Sequence, residues 1–228
     1  MDRMDQINCQ HLKPVTKPDK LKIKIKKPAT TNEHVNISVS HTNASIIGLP
    51  DDMLRELLTA YTNYNQILFN MQKSVAKLRR PNIPEGLSEN IVLRILKRRG
   101  KNVNWCAKTG DLVETLNGIT LKLEVKCFSS VGPTSFGPTC TWHKLYFLDA
   151  RSLANIYDIE QIRIKCFEIN LSNSSSQWKN IKVNSIDTYE VQCKQGRRPR
   201  IQFDQIKTQI GNDITEIYDG DIITLLSS

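Results

Sequence analysis

Asp111, Glu124 and Lys126 are the residues whose types and spacing suit chemistry. Two alternating runs, residues 111–116 and 119–127, flank Asn117-Gly118, a dipeptide that favours a two-residue hairpin loop. With that loop Leu116 faces Ile119, and counting back along both strands puts Asp111 opposite Glu124. Directly opposed side chains have Cβ atoms roughly 4.5–5.5 Å apart. Two carboxylates so placed repel unless a positive charge stands between them. Lys126, two residues beyond Glu124, projects from the same face, while Leu123 and Val125 point the other way into a core. A carboxylate pair of this kind suits a hard divalent cation that keeps waters and accepts a phosphate oxygen. A lysine beside it can orient or deprotonate a water, or balance developing negative charge. The combination fits phosphodiester hydrolysis better than acyl transfer, for which no matching triad is visible. The plainer alternative is a solvent-facing strand whose charges only confer solubility.

The elements before the hairpin bear on that choice. Residues 88–99 read as a helix, with Ser88 as N-cap, Ile91, Val92, Ile95 and Leu96 as its buried face, and Lys97, Arg98, Arg99 and Gly100 at its end. Residues 103–106 read as a short strand, and Lys108-Thr109-Gly110 as a break. A helix, then a hairpin with Asp at the start of one strand and Glu-x-Lys near the end of the next, resembles the PD-(D/E)xK nuclease core, whose best-known members are type II restriction endonucleases. The resemblance is carried by Ser88-Glu89-Asn90, Gly110-Asp111 and Glu124-Val125-Lys126 and spans residues 88–150. It implies an α/β (α+β) fold with a central mixed sheet flanked by helices. It also implies that Asp111 and Glu124 bind Mg2+, that Lys126 assists the attacking water, and that Glu89 lies near the metal. Glu89 has a second reading, an acid favoured by the dipole of the helix's first turn. Gly110 stands where the family has Pro. Glu114, a rival carboxylate, points away from Asp111 by strand alternation.

Around this core the chain divides into a basic N-terminal arm, residues 1–48, and a nuclease domain, residues 49–228. Residues 13–28 hold seven lysines and one acid. Lys24 and Lys26 belong to a strictly alternating run that reads either as an edge strand guarded by lysines or as a phosphate-contacting arm. Residues 51–80 form a long helix by apolar spacing, the expected dimer element. The Gly-, Pro- and Ser-rich stretch 128–139 is a loop leaving the Glu-x-Lys strand, so its start lies near the scissile phosphate; Ser135, His143 and Lys144 are candidate DNA contacts. Arg197, Arg198 and Arg200 form a basic cluster suited to phosphate, which reads otherwise as a solvated turn. Residues 145–148 and 161–165 read as strands and 151–158 as helical. Further strands at 181–183, 189–191, 201–203 and 222–225 make the C-terminal extension β-rich, with Asp219-Gly220 as a turn.

Composition narrows the function classes. In 228 residues, 32 Lys+Arg against 23 Asp+Glu leave a net charge of +9, which points to a polyanionic partner. The 39% hydrophobic fraction is enough for a core. No apolar run approaches the roughly 18 residues of a membrane span, so no membrane partner is expected. The first residues lack a secretory layout, and six cysteines without a C-x-x-C pair suggest a reduced protein of the bacterial cytoplasm. No organic cofactor is implied. The expected protein is a Mg2+-dependent, sequence-specific endonuclease of double-stranded DNA, acting as a homodimer or higher homo-oligomer. A repair or recombination nuclease on the same core, and a non-catalytic basic DNA-binding protein, are the alternatives.

Overall fold

The computed structural model describes residues 48–73, 78, 81–106, 111–154 and 156–227. The N-terminal arm, with Lys24 and Lys26, lies outside them, as do Lys108, Thr109 and Gly110. Asp51–Gln72 forms helix α1 and Glu85–Arg98 helix α2. Strands follow at Val103–Trp105 (β1), Leu112–Leu116 (β2), Ile119–Phe128 (β3), Thr134–Ser135 (β4), Lys144–Asp149 (β5) and Arg163–Ile169 (β6). Short helices Ser176–Lys179 (α3) and Tyr189–Lys194 (α4) lead to β7 at Arg200–Ile201, helix α5 at Phe203–Ile210, strand β8 at Ile214–Asp221 and helix α6 at Ile222–Leu226.

Among the described residues six strands make one sheet in the order β1-β2-β3-β5-β6-β8, antiparallel throughout except for the parallel pair β3 and β5. A parallel pair needs a crossover, which here is the Gly- and Pro-rich segment carrying β4. This mixed sheet flanked by helices is the α+β architecture expected of the chain. Each sheet face buries its own core, because side chains alternate along a strand. On one face Leu123, Val125, Tyr146 and Leu148 meet Ile91, Ile95 and Leu96 of α2 and Leu54 and Leu58 of α1. On the other, Phe128 and Phe147 meet Phe136, Trp142, Trp178, Tyr189 and Phe203. That second core is largely aromatic, with Trp178 edge-on to Phe136 at 5.6 Å and to Trp142 at 5.5 Å.

Several local expectations change. Residues 189–191 and 222–225 are helical, not extended. In α4 the Thr188 hydroxyl accepts from the Val191 N–H, a serviceable N-cap, and burial of Tyr189 and Gln192 follows helical spacing. Residues 203–210 likewise form α5, so the C-terminal part is mixed, and β8 returns to the main sheet. Asp219-Gly220 is no turn: it lies within β8, where Asp219 pairs with Lys165 at 2.7 Å and Arg163 at 3.3 Å. Helix α2 begins at Glu85, so Ser88 is not its cap; the Ser88 hydroxyl donates to the Glu85 carbonyl instead. Helix α1 ends at Gln72 with Lys73 as its C-cap, short of the expected residue 80; most of residues 74–80 lie outside the described set. Cys127, Cys140, Cys166 and Cys193 form no disulfide. No helix among the described residues is long and apolar enough to cross a membrane.

Candidate active site

The hairpin sets the site. Leu116 pairs with Ile119 and Leu112 with Leu123, and the loop residues Asn117 and Gly118 take φ of 51° and 77°. Both angles are positive, which only such a residue pair tolerates cheaply. Asp111, just before β2, is thereby brought beside Glu124, and its Oδ2 accepts a 2.6 Å hydrogen bond from the Val125 N–H. The Glu124 side chain is 9% exposed, and Lys126 Nζ stands 2.5 Å from its Oε1. Glu89, on α2, has its Oε2 engaged at 2.5 Å by the Trp105 indole N–H.

These four groups feel one another. Burial, followed by the Glu124 charge, pushes the Asp111 carboxyl up from 3.8 to about 7, against the pull of the Val125 N–H. Burial also raises Glu89, opposed by the Trp105 hydrogen bond, with Lys126 and Glu124 acting on it in opposite senses. Burial alone would lower Lys126, but the Glu124 charge and hydrogen bond, with help from Asp111, turn the net shift upward. Lys126 is therefore a cation near neutrality. Three carboxyl groups around one ammonium leave excess negative charge that a further cation would relieve. The donor set fits a hard divalent ion: the chain offers the Asp111 and Glu124 carboxylates, and Mg2+ commonly takes one or two of these with water and phosphate oxygens. Among the described residues, no group of three or more His, Cys, Asp or Glu side chains is close enough to hold a metal ion.

The expected DNA contacts separate into two groups. Ser135 and Arg200 are cross-strand neighbours in the β4–β7 ribbon, although 65 positions divide them. The Phe136 N–H donates to the Pro199 carbonyl at 2.9 Å, and the Phe136 ring lies 5.9 Å from Lys126 Nζ, which places the ribbon beside β3. Arg198 and Arg200 are exposed beside it, whereas Arg197 is held by Asp187 at 3.3 Å. Lys144 and His143 do not join this group. Lys144 pairs in register with Leu123, on the sheet face opposite Glu124, and its ammonium is bound to Glu114 at 3.3 Å and Glu168 at 3.6 Å. His143 Nδ1 accepts from the Lys122 N–H, continuing the β3–β5 pairing.

Two residues of the site escaped the sequence reading. Trp105 was legible as part of a strand, but nothing local links it to Glu89, sixteen positions away. Phe136 carried a weak signal, a large aromatic inside a loop of small residues, and it anchors that loop in the second core at 0% exposure. No curated protein and no solved structure matches the chain. The family model of the Bsp6I restriction endonuclease matches residues 49–210, more than half of the sequence and all of the hairpin, the ribbon and the basic cluster. The chain belongs to the Bsp6I restriction endonuclease family.

Proposed function

We propose that the chain is a type II restriction enzyme of the PD-(D/E)xK kind, which hydrolyses a phosphodiester bond in each strand of double-stranded DNA at a specific short sequence, with Mg2+ and as a homodimer. The observation that carries this reading is the half-buried pairing of Asp111 with Glu124 around Lys126. Like charges opposed across a hairpin are unfavourable unless used. Asp111 and Glu124 would hold the metal, with Glu89 adding negative charge nearby. When bound, Mg2+ would supply Lewis acidity toward the phosphate and toward water. Lys126, kept protonated by Glu124, serves as a donor: it orients the attacking water and offsets the negative charge that grows on the phosphate as water adds and the ester oxygen departs. A duplex with two equivalent strands is most simply cut by a two-fold pair of chains.

Digestion of unmethylated plasmid with Mg2+ tests the reading. Discrete bands are expected. Nicking confined to mismatched or branched DNA would replace it with a repair nuclease, and binding without cleavage would leave a non-catalytic DNA-binding protein.

The basic ribbon gives a second expected result. Arg198→Ala with Arg200→Ala should weaken DNA binding and reduce the slope of log affinity against log salt by about two units, about one per lost phosphate contact. Adding Arg197→Ala should change the slope less, because Asp187 already neutralises that guanidinium. Fluorescence anisotropy across a salt series reads both. An unchanged slope would return the cluster to an ordinary solvated turn.

A further inference from the structure

Helix α1 carries two apolar stripes, and the described residues bury one of them. Leu54, Leu58, Thr62, Asn65 and Leu68 are buried. On that side Arg55 reaches Glu160 at 3.6 Å, Tyr61 donates to the Pro81 carbonyl, and Phe69 meets Tyr157 at 5.8 Å. The second stripe is Met53, Leu57, Ala60, Tyr64, Ile67 and Met71, and all six are exposed. The five large side chains among them are 44–56% exposed. Their separations alternate strictly between four and three residues, the repeat that keeps a seam on one side of a helix against another helix. A helix that needed only one buried face would carry polar residues here.

We infer that this seam pairs with the same seam of a second copy, antiparallel, across a two-fold axis near Thr62. A two-fold contact requires that if residue i meets residue j, then j meets i. The antiparallel register sets Met53 against Met71, Leu57 against Ile67, and Ala60 against Tyr64, each pair occurring twice. The smallest seam residue then faces the largest, so the helices close without a void. A parallel pair would instead set Tyr64 on Tyr64 and Ala60 on Ala60, a clash beside a gap. Charge agrees with the antiparallel choice. Asp52 and Glu56 lie near the start of α1, and Lys73 caps an end whose last turn holds no acid or base, so each acidic end meets that lysine of the other copy, and the helix dipoles oppose. The row flanking the seam, Glu56, Asn63 and Asn70, is exposed and holds one charge, so it brings little repulsion. The area suffices. Half of five large apolar side chains is on the order of 500 Å² per copy, and the symmetric pair reaches the roughly 1,000 Å² of a specific interface.

This inference deepens the homodimer reading, but its test reads mass, so its failure and that of the nuclease reading are separable. Sedimentation equilibrium of the full chain in EDTA, at micromolar concentration, should give a dimer. Leu57→Lys alone and Ile67→Glu alone should each give a monomer, because each buries an unpaired charge twice. The double variant Leu57→Lys/Ile67→Glu should restore the dimer, since the antiparallel register alone sets each new lysine against a new glutamate. A monomeric wild type, single variants that stay dimeric, or a double variant that stays monomeric would each overturn the inference. So would a monomeric wild type whose melting temperature falls with either single variant, which would assign the seam to a segment of its own chain.

Discussion

Lys126→Ala should lower the cleavage rate by about 10²–10⁴-fold, the range expected when one positioned donor is lost from a phosphoryl reaction. DNA affinity measured without divalent cation should stay close to wild type, because Lys126 contacts Glu124 and faces Phe136, not the exposed ribbon. The variant also separates two roles for the ammonium. Lys126 has its pKa raised, so its contribution to stability is present below the ordinary lysine value of 10.5 and is lost only as pH rises through its folded value. It therefore acts as a fixed cation across the neutral range. Lys126→Arg should then recover part of the rate, and Lys126→Gln, which can still donate to Glu124, should not. If the lysine served as a base, arginine would be as inactive as glutamine. Alanine should also lower the metal-free melting temperature, because it leaves Glu124 facing Asp111 and Glu89 with no counter-charge. Mg2+ should restore the melt and not the rate. Near-normal cleavage by Lys126→Ala would remove the lysine from the mechanism.

The register of the candidate site was legible because it is local. Asn117-Gly118 dictates its turn, the turn dictates the pairing, and the pairing carries Asp111 to Glu124 within fourteen residues. Helix α2 was legible for the same reason, a clean apolar stripe with basic residues at its end. The β4–β7 ribbon was not, because its contacts join segments 65 positions apart and each strand is only two residues long. Sequence pattern supplied Ser135 and Arg200 as separate candidates; only the aromatic core beneath them makes them neighbours.

Short segments failed for a different reason. In a window of three or four residues, Tyr189-Glu190-Val191 and Ile222-Ile223-Thr224-Leu225 satisfy either period, and β-branched residues tilt the reading toward strands. What decides is lateral. The Thr188 hydroxyl caps α4, and Ile222, Leu225 and Leu226 are buried at helical spacing beside the α2 core. Asp219-Gly220 failed because a strong local turn signal was overruled by pairing with β6. Arg163 and Lys165 on the neighbouring strand hold Asp219 in the ladder, and Gly220 pairs with Ile164. At Gly220 a Cβ would come within 2.9 Å of the Tyr218 hydroxyl, which donates to the Asp221 carbonyl, so the glycine there makes room inside a strand.

Asp111→Asn should abolish cleavage while making the metal-free protein more stable, and the opposition of the two effects is the strongest test of the site. The Asp111 carboxyl titrates near 7 in the folded chain and near 3.8 when solvated. Between those values the folded chain holds a proton that the unfolded chain has released, so metal-free stability falls as pH rises from about 4 to about 7 and is level above. Asparagine is neutral at every pH and keeps the oxygen that accepts from the Val125 N–H. The slope contributed by this position should therefore vanish, and at pH 8 the variant should exceed wild type by roughly 1–3 kcal/mol. Mg2+ should reverse the order. Wild type gains stability in proportion to the logarithm of free metal over its dissociation constant, and the variant, lacking one of two anionic ligands, gains far less. Melting curves in EDTA and in Mg2+ at pH 5 and pH 8, beside a cleavage assay on the same preparation, read all of this. A side chain that served only solubility would show neither the crossing of the melting curves nor the loss of cleavage. If Asp111→Asn cuts DNA normally, or is inactive only because it unfolds, the pair of carboxylates on this hairpin is not a metal site.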